Sequence, residues 1–222
     1  MTTSRDLALT LAGGGNRSFY QLGLLERWGE ALFPRLGAMA TCSAGACVAT
    51  LWLSGRDAEA RALWLRRRES VRKNFDWSLL LRGRNPAPHG PIYRDTLLEA
   101  YRDGGLERIR AQPFPIHVLT AAFPPRLPAQ LGVALGLGAY NLEKRLRPAT
   151  LHPTFGRKLG FRSVVVDARS CETPEELAAL VVASSATPPF TPIGRFRGQA
   201  LLDGGMIDNV PADVGEIGRA HV

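Results

Sequence analysis

Cysteine is scarce in this chain: Cys42, Cys47 and Cys171 make an odd count, with neither metal-ligand spacing nor the paired framework of a small secreted domain. That pattern points to a reducing compartment, and since the chain offers no ligand cluster no metal is expected, nor any other cofactor. No stretch reaches the roughly 18 consecutive apolar residues of a membrane span, and residues 1–6 lack the basic and apolar segments of a secretory signal. The expected location is therefore cytoplasmic, with peripheral membrane contact as the remaining membrane association. Basic residues are not interleaved with exposed aromatics and no nucleic-acid motif is present, which excludes nucleic acid as the expected partner.

What is abundant is apolar residues, at 45% of 222 positions, enough for one sizeable core in one domain. The formal charge is +8, with arginine far ahead of lysine. Two readings stand: a solvated basic face, or attraction to an anionic membrane surface.

The chain is organised around Thr41-Cys42-Ser43-Ala44-Gly45. A buried apolar run, 36–41, leads into the serine, and a helix-length apolar run, 47–53, follows it and stops at Ser54-Gly55. A serine exposed on such a strand-to-helix turn needs small neighbours, because strand and helix nearly touch. Ala44, Gly45 and Ala46 meet that need, and the helix start favours a developing anion. The usual pattern, G-x-S-x-G, has Thr41 in its first position here.

Around this turn the chain alternates strand and helix. A first strand, 7–12, breaks at Gly13-Gly14-Gly15 and leads into a helix with Leu22, Leu25, Trp28, Ala31 and Leu32 inward. An amphipathic helix is expected over 57–73, with Ala58, Ala62 and Leu65 inward and Leu63 and Trp64 as further inward candidates, and an irregular stretch over 76–91, followed by a short helix over 94–101. A central strand follows at 116–122. Residues 123–160, with scattered prolines, an apolar 131–140 run and the basic Lys144-Arg145-Leu146-Arg147, read either as a mobile cap or as an ordinary insertion. Order resumes with a strand at 163–167 and a helix over 173–185, capped by Thr173 with Pro174 and Glu176. Repeated strand–helix units predict an α/β fold with function at the carboxyl ends of the strands.

An acyl-transfer serine requires a base and N–H donors for its oxyanion. Gly13-Gly14-Gly15 can present several N–H groups at one spot, with the Arg17 cation nearby, and Asp203 ends an apolar strand just before Gly204-Gly205. His89 and His152 border prolines in loops, His117 sits in a strand as a packed core residue, and His221 lies at the very end. A Ser-Asp dyad without histidine is the economical reading. A dinucleotide loop at the triple glycine fails, since glycine is missing at Ser18 and no acid ends the second strand. Cys42 has no histidine placed to make it a nucleophile.

Taken together, Leu11–Arg17, Thr41–Gly45, Ala183–Phe190, Asp203-Gly204-Gly205 and Asn209-Val210-Pro211 resemble, in order, the blocks of the patatin-like phospholipase family. That resemblance implies a three-layer α/β/α fold with a mostly parallel central sheet, over residues 1–215, and a serine lipid acyl hydrolase of phospholipase A or lysophospholipase type. It implies Ser43 as nucleophile, Asp203 as base, and Gly13, Gly14 and Gly15 with Arg17 as oxyanion hole. The substrate would be a phospholipid or another acyl-ester lipid; the alternative is a weakened or inactive lipid-binding member. Two departures stand out. Thr41 is expected to crowd the strand–helix approach, and Ser18 replaces a glycine of the first block. Residues 216–222 match one reading frame of a sequencing adapter and are expected to be a non-native tail, with further chain in the natural protein.

Overall fold

The computed structural model describes residues 5–69, 71, 78, 87, 89–147, 152–188 and 190–219, the last four by backbone alone. Three apolar runs form β1 (Leu7–Leu11), β2 (Leu36–Cys42) and β3 (Ile116–Ala122), paired in parallel in that order. β2 and β3 are nearly continuous apolar runs because both of their faces are covered. Three antiparallel pairings complete a mixed sheet. β4 (Arg162–Asp167) and β6 (Gln199–Asp203) both pair with β3, and β5 (Gly194–Phe196) pairs with β6. The β5–β6 hairpin turns through Arg197 and Gly198, at φ 46° and 79°, as a two-residue turn with positive φ at both centres requires.

The register decides where the functional ends meet. β4 and β6 both pair with Thr120–Ala122, so they occupy opposite edges of β3. β4 also pairs with His117–Leu119, which leaves the other edge to β2. β2 and β6 therefore lie end to end on one edge, running toward each other. Cys42 stands opposite Leu119 and Asp203 opposite Thr120, its neighbour.

Helices cover both faces, giving the expected three layers. On one face α1 (Tyr20–Leu32), α2 (Ala44–Ser54), α4 (His89–Tyr101), the short α5 (Gly105–Arg110) and α8 (Pro174–Ser184) enclose the main core. α3 (Asp57–Glu69) packs outside, against α4. On the other face a smaller cluster of Ala121, Phe161, Leu202, Met206 and Ile207 lies under α6 (Ala129–Leu146), with the short α7 (Phe155–Lys158) beside it. α9 (Ala212–Arg219) lies against β1 and β2 on that face, Gly215 facing Ala8 and Ala40. The stretch expected as a tail begins inside this helix.

Several local expectations need correction. Trp28 and Ala31 are exposed; the buried residues of α1 are Gln21, Leu22, Leu25 and Gly29, and Trp52 fills the space over Gly29. The inward face of α3 is Ala60 with half-buried Leu63 and Trp64, the two further candidates, whereas Ala58 and Ala62 face out and Leu65 is largely exposed at the edge of a cavity. The end of the expected 57–73 helix, and all but Ser78, Ala87 and 89–91 of the irregular 76–91 stretch, lie outside the described residues; α4 starts at His89, earlier than expected. Within the 123–160 stretch, read as a mobile cap or an insertion and expected to be irregular, residues 129–146 form an 18-residue helix. Its glycines hid it: they lower helix propensity, yet Gly132 and Gly136 are where Phe123, Phe161 and Met206 press against the backbone. Thr173 caps α8 as expected through Glu176 N–H at 3.1 Å, while the Glu176 carboxylate accepts from Glu172 N–H, one residue before the usual capping-box partner.

Candidate active site

Ser43 follows β2 directly and adopts φ 53° and ψ −127°, a backbone region that a non-glycine residue occupies only when its surroundings impose it. The surroundings here are specific. The Ser43 N–H donates to Ser184 Oγ at 2.8 Å, and Ser184 Oγ donates in turn to the Leu119 carbonyl at 2.7 Å. On the helix side, a Cβ added to Gly45 would lie 2.1 Å from the Leu11 carbonyl oxygen, so glycine is what lets α2 start against the end of β1. Thr41 does not crowd this approach. Its side chain is fully buried and its hydroxyl donates to the His117 carbonyl at 2.9 Å, within the sheet.

The end-to-end meeting of β2 and β6 brings Ser43 and Asp203 together. Ser43 Oγ donates to Asp203 Oδ2 at 2.7 Å, and Gly205 N–H donates to Asp203 Oδ1 at 2.7 Å. The Cys42 thiol also points at Oδ1, 3.9 Å away. Burial, with the nearby Asp203 and Asp208 charges, raises its pKa well above the usual value, so Cys42 is a packed thiol and not a nucleophile.

The triple glycine lies across from this pair and divides in two. Gly13 abuts Ser43: a Cβ there would come 3.1 Å from Ser43 Cβ and 2.5 Å from Asn209 Oδ1. Its N–H donates to the Asn209 carbonyl at 3.1 Å, while Asn209 Nδ2 donates to the Gly13 carbonyl at 3.3 Å. Gly13 is thus removed from the expected set of oxyanion donors, because its N–H is already committed. Gly14 and Gly15 are exposed, with no protein acceptor for their N–H groups among the described residues, and Gly15 takes φ 58°. Arg17 is exposed at the rim of a cavity of about 530 Å³ lined by Ser43, Asp203, the three glycines and, across the opening, Leu137, Tyr140 and Lys144. Ser18, in place of the expected glycine, is buried on the same wall.

A family model described as patatin-like phospholipase matches residues 9–215. The chain belongs to the patatin-like phospholipase family. The activity associated with that family is lipid acyl hydrolysis. No curated protein matches the chain in sequence.

Within this patatin-like framework, none of the described histidines reaches Ser43, whose hydroxyl bonds to Asp203. His152 Nδ1 pairs with Asp208 Oδ1 at 2.8 Å. His89 lines the cavity beside Arg68, and burial and that cation lower its pKa. His117 is half-buried, with Nε2 left unpartnered. Among the described residues no group of three His, Cys, Asp or Glu side chains could hold a metal. Ser184 and Asn209, which hold the two turns in place, went unremarked as individual residues. Their signal was their position, in the Ala183–Phe190 and Asn209–Pro211 blocks.

Burial pushes the Asp203 pKa up to about 6, against the hydrogen bonds from Ser43, Gly205 and Cys42 that favour its charged form. An unfolded aspartate titrates near 3.9. The folded state therefore holds this proton more tightly, and the carboxylate destabilises the fold as pH rises from about 4 through about 6, by up to about 3 kcal/mol. Asp203→Asn is expected to melt roughly 5 °C or more above wild type at pH 8, with the difference shrinking toward pH 4, in thermal scans by circular dichroism. A variant melting no higher than wild type at pH 8 would show that the buried charge is not destabilising.

Proposed function

We propose that this protein is a serine lipid acyl hydrolase of phospholipase A or lysophospholipase type, working through a Ser43–Asp203 dyad. The observation that carries the reading is the 2.7 Å hydrogen bond from Ser43 Oγ to Asp203 Oδ2 at the start of α2. Asp203, ionised above pH about 6, accepts the hydroxyl proton as Oγ attacks the ester carbonyl. Negative charge then develops on the former carbonyl oxygen. The N–H groups of Gly14, Gly15 and Ala44 are the donors left open to it, Ala44 being the first residue of α2 and so without an intrahelical acceptor. Asp203 passes its proton to the departing alcohol as the tetrahedral intermediate collapses, leaving an acyl-Ser43 ester. Water, deprotonated by Asp203, attacks that ester, and as the bond to Oγ breaks Asp203 returns the proton to Ser43, releasing the fatty acid.

The dyad reading predicts that p-nitrophenyl butyrate is hydrolysed and that Ser43→Ala and Asp203→Asn each lower kcat/KM by at least about 10³-fold with the fold intact. Turnover unaffected by Asp203→Asn would remove the aspartate from the mechanism. A folded wild type that neither turns over esters nor reacts with a fluorophosphonate would favour a non-catalytic lipid-binding role.

The outer surface supports the lipid reading. α6 lines the cavity through Leu137, Tyr140 and Lys144, while Leu131, Leu135, Leu142 and Leu146 on the same helix are exposed, as is Leu159. Between residues 123 and 166 the basic residues are Arg126, Lys144, Arg145, Arg147, Arg157, Lys158 and Arg162, and the single acid, Glu143, is buried against Thr154 and Phe155. An apolar face rimmed by a net excess of cations is suited to an anionic bilayer. The protein should sediment with phosphatidylglycerol-containing vesicles, less so with phosphatidylcholine alone or at high salt, and Leu142→Glu should weaken sedimentation. Binding indifferent to lipid charge, or self-association abolished by Leu142→Glu, would assign the face to another partner.

A further inference from the structure

A second cavity, of about 520 Å³, opens between α1, α2, α3 and α4. It adjoins the first: Asn16, Phe19, Cys47, Trp64 and Tyr93 line both. At that junction the rings of Phe19, Trp64 and Tyr93 form a collar, with Trp64 6.5 Å from each of the other two by ring centroids. Beyond it the wall is built by Leu22, Leu51 and Leu65.

Apart from Asn16, exposed on the shared wall, the polar side chains near the passage are already committed. Tyr93 Oη pairs with Ser185 Oγ at 3.2 Å, Thr96 Oγ1 donates to the Ile92 carbonyl at 2.8 Å, and the Cys47 thiol is buried. What such a passage presents to a guest is, beyond Asn16, hydrocarbon and ring faces. Its lining also includes Glu26, Asp57 and Arg61, two acids to one base, so an anionic head group finds no net attraction there. The mouth of the first cavity has the opposite character, with Arg17 and Lys144.

We infer that the second cavity is the acyl-chain subsite: the chain of an ester bound at Ser43 passes the Phe19–Trp64–Tyr93 collar and lies between α1 and α3, while an anionic leaving group stays at Arg17 and Lys144. This inference rests on the dyad reading and adds to it a preference for medium and long acyl chains over short ones. Burial of each further methylene raises kcat/KM roughly fourfold until the groove is filled.

Gly23 supplies the test. It lies on the exposed side of α1, lines this cavity, and a Cβ placed there meets no atom within 4 Å, so a larger side chain enters the groove without disturbing the core. kcat/KM is measured for p-nitrophenyl esters from butyrate to laurate, in wild type, Gly23→Leu and Gly23→Phe, with melting curves as a check on the fold. The expected result is a wild-type rate that climbs with chain length, and a laurate-to-butyrate ratio at least tenfold lower in Gly23→Phe, with Gly23→Leu between. An unchanged ratio in folded variants would overturn the subsite. Calorimetric titration of dodecanoate into Ser43→Ala, with and without Gly23→Phe, separates the two readings because it needs no turnover. Binding that the glycine substitution abolishes supports the groove even where esters are not cleaved, and absence of dodecanoate binding overturns it.

Discussion

Two strands run toward each other along one edge of β3, and everything at the site depends on their meeting. β2 reaches Leu119 from one direction and β6 reaches Thr120 from the other, so the residues that follow or end them fall within one hydrogen bond. Neither Ser43 nor Asp203 hangs from a mobile loop. The same point gathers the supports: Leu119 accepts from Ser184, which accepts from Ser43, and a Cβ on Gly204 would strike the Leu119 carbonyl oxygen at 2.3 Å. One residue of β3 thereby sets the height of the serine, and the backbone after the aspartate is held against it.

This placement has an energetic consequence. A carboxylate enclosed by the ends of two strands is deprived of water and keeps only three hydrogen bonds, one of them from a weak thiol donor. The charge is tolerated because the sheet around it is well packed, and its raised pKa brings it closer to the range where a base both accepts and returns a proton readily. The strained serine is held in the same way, by neighbours rather than by its own preference. Stability surrendered at these two residues is supplied by the main core beneath them.

Much of this was legible in the chain. The apolar runs at 7–11, 36–42 and 116–122, the cap at Thr173 and the small residues after Ser43 report local constraints, and local constraints leave their mark in sequence. What could not be read was pairing. Nothing in Arg162–Asp167 or Gln199–Asp203 says that both run antiparallel to β3 on opposite edges, because direction is set by the connections and not by the strand's own residues. The commitment of Gly13 to Asn209, 196 positions away, was equally out of reach of local patterns. Helix faces failed for another reason. In α1 and α3 the aromatic and alanine positions offer two stripes of similar polarity, and tertiary packing chose Gly29 under Trp52 and Ala60 over the alternatives.

In the proposed mechanism a buried aspartate, and no other group, activates Ser43. The most direct test is the pH dependence of covalent modification of Ser43 by a fluorophosphonate, followed by intact-mass spectrometry from pH 4.5 to 8.5. The account predicts a rate that rises with pH, is half-maximal near pH 6, and collapses at every pH in Asp203→Asn. A labelling rate flat across that range, or an Asp203→Asn variant labelled as fast as wild type, would contradict it.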